Sequence, residues 1–203
     1  METMNFLITG VGGQGTVLAS DIMAALGLAA GFDVKKSDIL GLAVRGGAVM
    51  GHVRWGAQVH SPIVPEGRAD YLIAFEVLEG LRWLGQVKPN GTVLVNVQRI
   101  SPVLVSSGLA EYPSENTLNA SLAATTPHAY KLPAIDMALE VGNSRTVNIV
   151  MLGAVSSLLQ VDPLLWEEVI KERVPKKHAE LNLTAFRKGR EWMSKNRPER
   201  NNV

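Results

Sequence analysis

The chain reads as short, solid apolar runs separated by glycine or proline breaks, with longer stretches of helical period between several of them. Asn5-Phe6-Leu7-Ile8-Thr9 is the first run. It is bounded by glycine and short enough for a buried strand. Residues of roughly 15–30 form the first helix, with Gly31 placed to stop it. Val34 to Ile39 predicts a second strand. Ala48 to Trp55 alternates, which suggests a strand turning at Gly56-Ala57 into Gln58–Ser61 as a hairpin. Pro62 and Pro65 then break the pattern.

Ala69 to Phe75 predicts a buried strand, Val77 to Leu84 a helix, Lys88-Pro89-Asn90-Gly91 a turn, and Thr92 to Val97 another buried strand. Residues 101–128 are punctuated by Pro102, Pro113 and Pro127, with a short helix from Glu115 to Ala124. Tyr130 to Ile135 is a short strand that Pro133 confines to an edge. A helix from Asp136 to Val141 stops at Gly142-Asn143. Thr146 to Leu159 is apolar nearly all round and predicts a buried helix. Asp162-Pro163 caps the next helix, which ends near Val174-Pro175, and Lys177 to Met193 forms the last.

Strands alternating with helices imply an α/β fold. A hairpin among βα units implies a mixed, mostly parallel sheet. The expectation is a single three-layer α/β/α domain over residues 1–193, with a Rossmann-like glycine turn after the first strand and a polar tail at 194–203. In open α/β sheets the ligand crevice lies outside the carboxyl ends of the strands. Gly10, Asp38, Glu76 and Asn96 would share that rim.

Composition narrows the function classes. Net charge is +1 over 203 residues, which argues against a dedicated nucleic-acid binder. The basic residues near the C-terminus (Arg187, Lys188, Arg190, Lys195, Arg197, Arg200) read as a solvated helix face. There are no cysteines, so this chain can hold neither disulfides nor thiolate-ligated iron–sulfur clusters. The N-terminus lacks the basic region of a signal peptide. Val147 to Leu159 is too short and too polar to span a bilayer. A cytoplasmic location without membrane contact is expected.

The candidate chemistry begins at Gly10-Val11-Gly12-Gly13-Gln14-Gly15, between strand and helix. Such glycines permit close backbone approach, and the helix N-terminus offers donors to an anion. They also suit a tight turn with no ligand. Thr16 stands where a Walker A loop needs lysine. Asp38 lies at about the spacing of a ribose-binding acid, so a dinucleotide-binding protein or reductase using Gly10–Gly15 is an alternative. Arg45-Gly46-Gly47 combines a cation with an accessible backbone, which fits phosphate or carboxylate, or else a plain connector. Arg54 with Trp55 could stack an adenine. Glu76 and Glu79 at a helix start suit the helix dipole better than acid–base catalysis. The histidines, His52, His60, His128 and His178, lack metal-ligand spacing, and no G-x-S-x-G elbow occurs.

Taken in order, Gly10–Gly15, Arg45-Gly46-Gly47, Glu76 with Glu79-Gly80-Leu81-Arg82, Asn96, Gly142-Asn143, Asn148 to Ala154, Val174-Pro175-Lys176-Lys177, Asn182 and Ala185-Phe186 resemble the gamma-type domain of 2-oxoacid:ferredoxin oxidoreductases. Within that family the chain is similar to the small beta-type subunit of the indolepyruvate branch. The resemblance covers nearly the whole chain. It implies oxidative decarboxylation of an aryl or branched 2-oxoacid. Thiamine diphosphate and iron–sulfur clusters would sit on a large partner subunit, coenzyme A would accept the acyl group, and ferredoxin would take the electrons indirectly. It further implies an accessory subunit that is inactive alone and contributes no catalytic residue and no metal site. Its cofactor-facing positions would be Gly10, Gly12, Gly13, Gln14, Gly15, Arg45, Gly46, Gly47, Glu76 and Asn96, with coenzyme A at the subunit interface.

Overall fold

The computed structural model describes residues 3–41 and 46–197. Six strands form one sheet: β1 (Met4–Val11), β2 (Asp33–Leu40), β3 (Ala48–Gly56), β4 (Ala69–Ala74), β5 (Val87–Asn96) and β6 (Ala129–Leu132). The helices are α1 (Thr16–Ala29), α2 (Val77–Arg82), α3 (Val103–Ser106), α4 (Glu115–Thr125), α5 (Ala134–Val141), α6 (Val147–Ser156), α7 (Pro163–Arg173) and α8 (Ala179–Asn196).

The strand order is β2-β3-β1-β4-β5-β6. Strands β1, β4, β5 and β6 are mutually parallel, and β3 runs against both β1 and β2. The mixed sheet is therefore as expected, but its hairpin is elsewhere. The expected partner of β3, Gln58–Ser61, is not a strand. Trp55 pairs instead with Met4 and Val34, so β3 fills both of its edges with β1 and β2. The chain after Gly56 leaves the sheet, and Val59 N–H donates to Asp33 Oδ2 at 2.7 Å.

Alternation along β1 sends its side chains to two separate cores. Phe6 and Ile8 pack with Ile22, Met23 and Leu26 of α1 and with the residues of α6. Leu7 faces the other way, with Leu72, Val95, Leu118 and Leu122. Helices α1, α5, α6, α7 and α8 cover the first face, and α2 and α4 the second. All ten residues of α6 are buried, in agreement with its apolar circumference. Full burial of each large side chain there contributes about 1.5–3 kcal/mol.

Two local readings are corrected. Lys88-Pro89-Asn90-Gly91 is not a turn between elements but an irregularity within β5, where the register jumps from Ala69↔Val87 to Tyr71↔Thr92 and Asn90 takes φ 60°. Trp55 is fully buried between Phe6 and Phe32, at 4.6 and 5.6 Å between ring centroids, so it offers no stacking platform. Its neighbour Arg54 is spent on Asn5 Oδ1, Ser61 O and Ile63 O. The irregular stretch also contains α3, four residues that proline punctuation hid. The basic residues of α8 are bound locally: Arg187 to Glu167, Lys188 to Glu140, Lys195 to Glu191 and Arg190 to Ser156 O. Among the described residues no helix is long and apolar enough to cross a membrane.

Candidate functional site

Parallel strands β1, β4 and β5 deliver Gly10, Glu76 and Asn96 to one edge of the sheet. Gly12 and Gly13 turn the chain, and Gly15, at φ 82°, is the N-cap of α1. A Cβ at Gly15 would press on the Asn148 amide at 2.5 Å, so only glycine lets α6 come this close. The start of α1 has no side-chain cap and no acid in its first turn. Its leading N–H groups are therefore left for an acceptor from outside the helix. Thr16 Oγ1, buried at that start, has no hydrogen-bond partner among the described residues.

The second glycine loop arrives at the same edge because β3 runs backwards. Gly12 N–H donates to Gly47 O at 2.8 Å, and Gly46 N–H reaches Gly12 O at 3.4 Å. The structure thus brings Gly10, Gly12, Gly13, Gln14, Gly15, Gly46 and Gly47 together. Arg45, the expected cation of this loop, lies outside the described residues.

Gln14, Glu76 and Asn96 brace the rim from within. Gln14 Oε1 accepts from Val11 N–H at 2.8 Å, and its amide donates to Phe75 O at 2.8 Å and Gln98 Oε1 at 3.0 Å. Asn96 also donates to Phe75 O, at 3.0 Å. Glu76 is buried and caps α2: Oε2 accepts from Glu79 N–H at 2.9 Å, while Oε1 accepts from Ile100 N–H at 3.0 Å and from the Tyr112 hydroxyl. That carboxylate replaces the water that two backbone donors and a phenol would otherwise need. Burial, together with the Glu76 carboxylate, pushes the Tyr112 hydroxyl well above the usual phenol range. Glu79 is pushed up by burial, against the lowering effect of Arg82 at 3.0 Å.

Gln98, Tyr112 and Asn148 complete this network. The first two left no local signal, because a contact across many residues has none. Asp38 takes no part. It lies on β2, which β3 separates from β1, and its oxygens are held by Ser20 Oγ at 2.8 Å and Lys36 Nζ at 2.5 Å. A ribose-binding acid belongs on the strand beside β1, so the dinucleotide reading loses its acid. Among the described residues no cluster of three or more His, Asp or Glu could hold a metal ion.

Comparison with known proteins agrees with this architecture. The family model described as pyruvate ferredoxin/flavodoxin oxidoreductase matches residues 5–192. Indolepyruvate oxidoreductase subunit IorB of Thermococcus kodakarensis is 38% identical over 195 residues, covering 93% of this chain and 95% of that one. The crystal structure of the keto/oxoacid ferredoxin oxidoreductase gamma subunit from Geobacter sulfurreducens superposes with a TM-score of 0.70 at 26% identity, covering 95% of this chain and 99% of that one. The fold alone is shared with 2-oxoglutarate:ferredoxin oxidoreductase from Magnetococcus marinus, a structure with 2-oxoglutarate, coenzyme A and succinyl-CoA bound. There the TM-score is 0.73 at 21% identity, over 96% of this chain and 32% of that one. The chain belongs to the pyruvate ferredoxin/flavodoxin oxidoreductase family.

Proposed function

We propose that this chain is the cluster-free small subunit of a 2-oxoacid:ferredoxin oxidoreductase acting on an aryl 2-oxoacid of the indolepyruvate type, and that its paired glycine loops hold coenzyme A against a large partner subunit. The partner carries thiamine diphosphate and the iron–sulfur clusters, and ferredoxin collects the electrons. Relatives named as indolepyruvate oxidoreductase subunits at 38% identity over most of the chain support the substrate class. A chain without cysteine has no thiolate to hold an iron–sulfur cluster, which supports reading the clusters as the partner's.

The observation that carries the loop assignment is the uncapped start of α1 beside two hydrogen-bonded glycine loops. Coenzyme A, when bound, supplies the thiol that accepts the acyl group. This chain's part is to bind and orient. The first-turn N–H groups of α1 donate to a phosphate, which the helix dipole favours by about 0.3–1 kcal/mol. Arg45, adjoining Gly46 in sequence, adds the charge that this small term lacks. Gln14, Glu76 and Asn96 hold the loop ends in register from beneath.

Native mass spectrometry of the tagged chain, purified anaerobically from its own cells, tests the assembly: a large cysteine-rich partner with thiamine diphosphate is expected. In that complex Arg45→Ala should raise the apparent KM for coenzyme A about tenfold or more, with the KM for the 2-oxoacid unchanged. An unchanged coenzyme A KM ends the ligand role, and a chain that purifies alone with a bound dinucleotide ends the reading altogether.

A further inference from the structure

The two edges of the sheet are finished differently. At the edge where the parallel strands begin, the charged groups are satisfied: Lys35 pairs with Asp33 at 2.6 Å, Lys88 pairs with Asp70, and Arg54 donates to Asn5 Oδ1 at 2.8 Å. At the edge where they end, large aliphatic side chains stand in the open on both sides of the glycine loops. On one side β2 finishes in Ile39 and Leu40, both exposed, with Leu40 paired to Val49 just after Gly46-Gly47. On the other side the chain leaving β5 carries Val103, Leu104 and Leu109, which are 82%, 59% and 77% exposed.

That second segment is a built loop. Both of its feet rest on one oxygen: Glu76 Oε1 accepts from Ile100 N–H at 3.0 Å and from the Tyr112 hydroxyl. The Arg99 guanidinium lies over the Tyr112 ring, 5.5 Å from its centroid. Inside the loop, Leu109 N–H and Ala110 N–H both donate to Leu104 O, at 2.9 and 3.1 Å, and Gly108 takes φ 75°. Gln98, at the first foot, accepts from the Gln14 amide of the glycine turn at 3.0 Å. Loop and glycine rim are therefore one bonded unit.

What the loop displays does not suit water. Residues 100–110 contain no charged side chain, and no residue of α3 is buried. Fixing such a loop in one shape costs conformational entropy that burial within this chain does not offset. Compact loops with pinned ends are frequently functional, and clustered exposed aliphatics mark an interaction surface where scattered ones do not.

A subunit has to meet the rest of its enzyme somewhere on its surface. We propose that this chain does so along the carboxyl edge of its sheet, with the loop at 101–111 seated in an uncharged, apolar recess of the large partner subunit and Ile39 and Leu40 packed at the other end of the contact. The proposal rests on the small-subunit reading above and adds where the partner sits. The recess is uncharged because an ion pressed against residues 100–110 would find no counter-ion there. The two apolar contacts flank the glycine loops and exclude water from between them. A phosphate at the start of α1 is then shielded from salt by the partner. A second copy in that place would set one pair of glycine loops against another, with no reacting centre beside either.

Native mass spectrometry of the tagged full chain, purified anaerobically from its own cells as wild type and as Val103→Asp/Leu109→Asp, tests it. The wild type should carry a large subunit identified by its thiamine diphosphate. The double variant should hold that subunit at least about tenfold more weakly, with the Tm of the isolated chain unchanged, because both side chains are exposed. Leu28→Asp, exposed at the far end of α1, should keep the partner. Hydrogen exchange across residues 100–110 should be slower in the wild-type complex than in the isolated chain. Full retention of the large subunit by the double variant, or unchanged exchange across the loop, overturns this docking surface and leaves the small-subunit reading standing. A wild-type chain that brings no large subunit overturns both. A homodimer that the double variant splits gives the face to a second copy and overturns the partner named here.

Discussion

Glycine is used in opposite ways at the α6/α8 crossing and at Gly13 on the rim of the sheet. At the crossing the backbones touch. A Cβ on Gly153 would stand 2.0 Å from Phe186 O, and one on Gly189 1.9 Å from Val150 O. At the rim, Gly13 has φ 106° with nothing within 4 Å of where its Cβ would be. The first pair is required by what is packed against it, the second by the backbone angle, with open space left above. A glycine in a sequence therefore announces neither a ligand nor a helix contact. Only the surroundings separate the two, and the empty surroundings are the ones that leave room for a ligand.

The sharpest way to break this comparison is Gly189→Ala. The helices must separate to admit the methyl group, so a loss of about 3 kcal/mol, the upper end of overpacking costs, is expected. It should appear as a lower urea midpoint at constant m-value, and a loss below about 1 kcal/mol would mean the crossing is looser than drawn. Next comes Glu76→Ala, which removes a cap and leaves Ile100 N–H and Glu79 N–H unanswered. It should cost about 2–3 kcal/mol, with hydrogen exchange accelerating first across residues 97–112. Gly13→Ala meets no atom, so only the left-handed strain of about 1–2 kcal/mol remains. If it proves as damaging as Gly189→Ala, the two uses of glycine are not distinct.

The smallest effect is a slope. His52 on β3 is buried and accepts from Val64 N–H through Nδ1 at 3.2 Å, and burial holds its pKa below the ordinary 6.5. The unfolded chain therefore takes up a proton that the folded chain refuses. Stability is full above 6.5 and declines as pH falls from there towards the depressed folded value. His52→Gln should flatten that part of the urea-midpoint profile.

How much of this was legible depended on distance along the chain. Strand β1, its glycine turn and α1 are local and were readable, as were the Asp162 cap of α7 and the all-round burial of α6. The position of β3 was not, because an alternating strand does not say which neighbours it takes. Trp55 was misjudged for the same reason: with β2 on one side and β1 on the other, its face of the sheet is sealed by α1. At the site, the glycine loops could be placed from their motifs. The bracing by Gln98 and Tyr112 could not, since Tyr112 reaches Glu76 from across the stretch whose prolines hid its order.

The reversed strand has a consequence for the order of assembly. Were β3 parallel to β1, the loop preceding it would emerge at the opposite edge, and Gly47 could never meet Gly12. Because it is antiparallel, the contact between the two loops exists only once β3 has slotted between β1 and β2. One helix and one strand, α1 and β2, separate the partners, so closing that circuit carries a modest entropic cost. A newly made chain thus seats β3 against β1 before its two glycine loops can meet.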